Sequence, residues 1–124
     1  MSKKASEIYF GRVMPVIEVS DIQKSHDFYV DIFGFEKVFE NGEPVGVMVL
    51  KKDNAEFMIS LNKNHKGGAS NAFHMFVSHV NSMYDICVKN KIRIIKGLKD
   101  QPYGQRAFVF SDIDGNRIDV GEEI

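Results

Sequence analysis

"EVSDIQKSHDFYVDIFGF", from Glu18 to Phe35, decides the fold. It opens on the end of a strand. β-branched residues run through "VMPVIEVS" (Val13–Ser20), and Pro15 suits a strand start or edge. A helix follows. Ser20 or Asp21 can cap it, Ile22, Phe28, Ile32 and Phe33 form an apolar stripe at roughly helical spacing, and Gly34 can end it in a left-handed cap. "FEKVFE", "VGVMVLKK" and "EFMISLN" then read as strands, separated by the turns "NGEP" and "DNA". Residues 12–62 therefore form a βαβββ module.

The order then starts again. "FVSHVNSMYDIC" (Phe76–Cys87) aligns without a gap on "EVSDIQKSHDFY", pairing Val19 with Val77, Ser20 with Ser78 and Ile22 with Val80. Around it lie a strand "NAFHMFVSHV", a helix "NSMYDICVKNK", a strand "IRIIK", a loop "GLKDQPYGQ", a strand "RAFVFSD", a turn "IDGN" and a last strand "RIDVGEE". This is a second βαβββ module over residues 71–124. Residues 63–70, "KNHKGGAS", read as a polar, glycine-bearing linker and the most flexible stretch. A half of ~55 residues buries too little core to stand alone, so the halves pack on each other or on a second chain. The expectation is one α+β domain over residues 1–124, a curled mixed sheet around a cup-shaped cavity.

Composition narrows the function. The net charge of -1 and the scattered lysines argue against a nucleic-acid partner, which favours a basic patch. No segment approaches the ~20 apolar residues of a membrane span, and no secretory signal pattern is present, so the chain is expected to be cytoplasmic. The single Cys87, on the apolar side of the second helix, forms no internal disulfide and reads as a small core residue.

With the repeat in place, "VSDIQKSHDFYVDIFGF" and "QPYGQRAFVFSDIDGNRIDV" resemble two motifs of the vicinal oxygen chelate superfamily. That group includes glyoxalase I, extradiol dioxygenases, fosfomycin-resistance enzymes and bleomycin-resistance proteins. The resemblance runs from about Arg12 to Glu122, with Ile113 where the family has Pro. It implies paired modules, a homodimer (swapped or side by side) and, in the enzymes, a divalent ion held by His and Glu from up to four strands.

Carried over residue by residue, that ligand set is incomplete. The first-strand position falls on Met14, a soft thioether better suited to a cup wall. Met58 stands where many members place Glu, and Glu56 shares its face but lies roughly 7 Å along the strand. The gapless alignment puts Ala72 at the third position, with His74 two residues on and facing the same way. Asp119 takes the place of the last Glu, one carbon shorter. Two protein ligands, His74 and Asp119, fall short of the usual three of a catalytic centre.

The resemblance thus implies a bleomycin-resistance-like protein with no resident metal, holding a small planar or aromatic molecule. The expected ligand contacts are Met14, Met58, His74, Phe76, Tyr103, Arg106, Phe108 and Asp119. The alternative is a divalent-metal lyase, isomerase or dioxygenase on His74 and Asp119. Glu18 is a further acid–base candidate beside those two.

Overall fold

A computed structural model describes residues 5–124. After a short 3-10 turn, Ala5–Glu7, the chain forms β1 (Val16–Val19), α1 (Ile22–Asp27), β2 (Glu36–Asn41), β3 (Val47–Lys52) and β4 (Ala55–Leu61). The second round is β5 (Asn71–Phe76), α2 (Val80–Lys89), β6 (Ile94–Asp100), β7 (Gln105–Ser111) and β8 (Arg117–Glu123). These make two four-stranded sheets, ordered β1-β4-β3-β2 and β5-β8-β7-β6. The outer pairs β1/β4 and β5/β8 are parallel and the others antiparallel. The expected α+β fold of two tandem βαβββ modules is observed.

The repeat extends to register. Val16 lies opposite Met58, and His74 lies opposite Asp119. The gapless alignment that sets Val19 on Val77 also sets Val16 on His74, so one register serves both modules.

Where the modules differ, the sequence supplies a replacement. Asp21 caps α1, its carboxylate accepting from Lys24 N–H at 3.0 Å. His79, the matching residue before α2, is left-handed at φ 56 and makes no side-chain cap. Glu122 on β8 does this instead, accepting from Val80 N–H at 3.1 Å. The backbone N–H groups of Val80 and then His79 hold the Glu122 carboxyl below its ordinary pKa. A group with a depressed folded pKa contributes stability above its unfolded pKa and loses it as pH falls through the folded value. Glu122→Ala is therefore expected to lower the thermal midpoint at neutral pH. The gap from the parent should close in acid, where the parent carboxyl is protonated too; a gap unchanged down to pH 2 would show that Glu122 acts by packing.

Two elements depart from expectation. α1 does not run evenly to Gly34, because its last turn, Phe28–Ile32, widens into a π-helix. That widening accompanies the burial of Phe28 and Tyr29 side by side. β6 starts later and runs on to Asp100, through residues read as loop, because its pairing with β7 survives two register shifts.

One apolar core joins the modules. It contains Tyr29, Phe57 and Leu50 from the first and Phe108, Phe110 and Val120 from the second. Phe33 of the first module packs on Phe110 at 5.4 Å. Cys87 is fully buried, and burial pushes its thiol up to about 12. Among the described residues, no helix is long and apolar enough to cross a membrane.

Each sheet turns one face to this core and leaves the other more open. Val16, Glu18, Met58 and Ser60 share the open face of the first sheet, and His74, Phe76 and Asp119 that of the second.

Candidate functional site

Parallel pairing of β5 with β8 sets His74 beside Asp119. Their side chains meet, with His74 Nδ1 2.8 Å from Asp119 Oδ2. A carboxylate accepts, so this ring nitrogen donates. The other, Nε2, lies 3.0 Å from Gln105 Oε1 at the start of β7. Both ring nitrogens thus face acceptor oxygens, an arrangement satisfied by a doubly protonated ring. A neutral ring keeps both bonds if the Gln105 amide turns over and donates. Phe76 stands edge-on to the imidazole at 4.8 Å.

Gly121 makes the clamp possible. It lies next to Phe76 in register, and a Cβ there would collide with Gln105 Oε1 and sit 3.1 Å from His74 Cε1. Gly121→Ala is expected to cost less than about 1 kcal/mol in stability, because the Gln105 chain end can swing away. His74 then loses its Nε2 partner. The imidazole nitrogen resonances of Gly121→Ala should match those of Gln105→Ala; parent-like resonances would show that Gln105 does not hold His74 in solution.

Beside the clamp, a cavity of about 310 Å³ opens between the start of β4 and β5. His74, Glu56 and Asn54 supply its polar groups, and Phe57, Phe73 and Phe76 its aromatic walls. Glu56 is paired with Arg12 at 2.8 Å.

The structure gathers His74, Phe76 and Asp119 and disperses other expected contacts. Phe108 is a correction: it lies opposite Val120, on the core face, and is 1% exposed with Tyr84 packed on it at 5.2 Å. Arg106 shares that parity and pairs with Asp100, Nε to Oδ1 at 2.6 Å, which raises its pKa. Tyr103 is 60% exposed in the β6–β7 turn. Met14 is half-buried ahead of β1, and Met58 is half-buried on the open face of the first sheet. Glu18 lies 3.7 Å from His65, away from His74.

Sequence reading places Gly121 on the face of Asp119 but misses Gln105 and the Arg12–Glu56 pair. The composition of "GLKDQPYGQ" reads as a loop that includes Gln105; β7 in fact starts at Gln105, which puts Gln105, Ala107 and Val109 on the face of Asp119.

The donor set bears on a metal. Asp119 is hydrogen-bonded to His74 instead of aimed with it at a shared point, and Glu56 is taken by Arg12. Among the described residues, no three His, Cys, Asp or Glu side chains gather as a metal ion would need. Within one chain, the residues do not fit the ion that the enzymes of the family hold.

Two βαβββ modules with this register point to a family, and the family model of the Glyoxalase/Bleomycin resistance protein/Dioxygenase superfamily matches residues 10–120. The chain belongs to this superfamily. No curated protein matches it in sequence. Among solved structures of the superfamily, a member from Sphaerobacter thermophilus is 26% identical, with a TM-score of 0.73 over 90% of this chain and 98% of that one. TnmS3, an antibiotic binding protein from Streptomyces, is 21% identical, with a TM-score of 0.73 over 94% and 100%. A lactoylglutathione lyase from Agrobacterium tumefaciens is 18% identical, with a TM-score of 0.71 over 90% and 92%. At 21% and 18% identity these last two share the fold, and one fold hosts both binding and catalysis.

Proposed function

We propose that this superfamily member binds a small planar or aromatic molecule in the cavity beside His74, without a resident metal ion. The observation that carries the reading is the His74–Asp119 bond set against an aromatic-walled cavity. Such cavities, mostly apolar with a few placed polar groups, are the usual form of a small-molecule site, and about 310 Å³ suits a ligand of one or two rings. Phe57, Phe73 and Phe76 would stack on it or meet its edge. His74 would donate to an oxygen of the ligand in exchange for Gln105. TnmS3, by its description an antibiotic binding protein, shows the same fold put to binding.

The protein would act as a homodimer. Its open face carries apolar side chains that a single chain leaves bare, among them Val16 at 58%, Phe39 at 53% and Phe76 at 62% exposed. A mass near twice 14.1 kDa in solution is the expected result. An unpaired Cys87 agrees with a cytoplasmic setting.

The test has two parts. Metal content after incubation with Mn, Fe(II), Ni and Zn and then desalting should be negligible. Near one ion per chain, lost in both His74→Ala and Asp119→Ala, would overturn the reading in favour of a metal-dependent enzyme. A thermal-shift screen with planar antibiotics and small aromatic acids should yield a stabilising compound. At a hundredfold excess over Kd, binding adds about 2.7 kcal/mol. His74→Ala and Phe76→Ala should reduce that shift, and a shift indifferent to both would place the ligand elsewhere.

A further inference from the structure

A second and larger cavity, about 470 Å³, lies on the other side of Phe76 between the modules. It touches neither His74 nor Glu56, although Asn54, Ala55, Met75 and Phe76 wall both cavities. We propose that it binds an amphipathic monocarboxylate, its apolar body on the cavity floor and its head group at Lys52.

The floor is apolar on both sides. Ile32, Phe33 and Phe35 come from the end of the first helix, facing Met83 and Ile86 of α2. Methionine adapts to the shape of an inserted chain. The volume lies within the roughly 300–1,000 Å³ of small-molecule sites.

Two polar lips close the floor. The β3–β4 turn supplies Lys52, Asp53 and Asn54, and the approach to α2 supplies Ser78, His79 and Ser82. Among the described residues, the side chains of Lys52, Asn54, Ser78 and Ser82 have no hydrogen bond or ion pair within the chain. All four can donate, and Lys52 carries a full positive charge. An acceptor-rich anionic head meets a donor at all four and the charge of Lys52, whereas a cationic head would find acceptors at Asp53, Asn54 and the two hydroxyls but would face the Lys52 ammonium. The first N–H of α2 is already taken by Glu122, so the helix end is no part of this site. The ammonium lies back over the end of the first helix: a Cβ built on Gly34 would stand in ordinary contact with Lys52 Nζ, at 3.5 Å.

The experiment is titration of isotopically labelled protein with decanoate below its micelle concentration, followed by amide chemical shifts. Decanol and decylammonium serve as controls. Saturable shifts are expected on both lips and the floor, at Lys52–Ala55 and Ser78–Met83. Decanol and decylammonium should bind several-fold more weakly. Lys52→Glu should weaken decanoate about tenfold, the scale of losing a charge-assisted bond. Met83→Trp should block it by filling the floor, and His74→Ala should leave it unchanged, which separates this site from the neighbouring one. The proposal is overturned if decanol binds as tightly as decanoate, if decylammonium binds more tightly, if the shifts centre on His74 and Gln105, or if no saturable binding is seen. The amide spectrum of each variant reports in the same experiment that it is folded.

Discussion

Asp112→Ala is expected to move urea unfolding to a much lower midpoint, a loss of about 3–5 kcal/mol. Asp112 is 5% exposed, and four donors converge on its carboxylate. The Tyr29 hydroxyl donates at 2.7 Å, the Asp114 and Asn116 backbone N–H groups at 2.9 Å each, and the Asn116 amide at 3.0 Å. Alanine leaves the Tyr29 hydroxyl and the two backbone N–H groups without this acceptor, and the Asn116 amide with only one of its two. The Tyr29 bond spans 83 residues and joins the modules. Burial, and then the neighbouring carboxylate, raise the Tyr29 pKa well above its ordinary value, so the hydroxyl remains a donor through the working pH range. Tyr29→Phe keeps the ring contact with Phe57 at 4.9 Å and gives up only the bond, at about 1–2 kcal/mol. Added to Asp112→Ala it should cost little more, because its partner is already gone. Strict additivity of the two substitutions in the double variant would show that this bond does not join the modules.

The turn containing Asp112 explains how much of the molecule could be read from its residues. "IDGN" was legible as a turn and as part of a family motif, but nothing in the sequence placed it beside the end of β1. Its work there was not legible. Asp114 accepts from Ser20, through both the backbone N–H at 3.0 Å and the hydroxyl, and the Asn116 amide donates to Glu18 O at 2.9 Å. These contacts cross 94 and 98 residues, which no local pattern encodes. The site divides in the same way. His74 and Asp119 were legible as candidates for one face of period-2 strands, but their pairing was not, because it depends on the register of β5 on β8. The face of β7 did not follow. With Phe108, Val109 and Phe110 in succession, both faces are apolar and alternation carries no sign, so the pattern does not tell that Arg106 and Phe108 belong to the core side.

Gly67→Ala is the second large effect, an expected loss of about 2–3 kcal/mol. The segment 63–70 has the composition of a loose linker, yet it is seated. His65 Nε2 meets Asn116 Oδ1 at 2.8 Å, and Gly67 presses on Gly115. A Cβ on Gly67 would stand 2.5 Å from Gly115 O and 2.7 Å from its carbonyl carbon. Both are backbone atoms, so no side-chain rotation can give way. The φ of +80° adds strain for any residue with a Cβ. Gly68→Ala is the internal control: its nearest heavy atom is Ser70 N at 4.0 Å, and its midpoint should stay within about 0.5 kcal/mol of the parent. The consequence reaches the site, because the same turn leads straight into β8 and Asp119. A linker pushed off Gly115 loosens the start of that strand, so Gly67→Ala should also raise amide exchange at Arg117–Asp119 relative to Gly68→Ala. Equal midpoints and equal exchange in the two variants would mean that the segment is not seated in solution, leaving the β7–β8 turn held by Asp112, Asp114 and Asn116 alone.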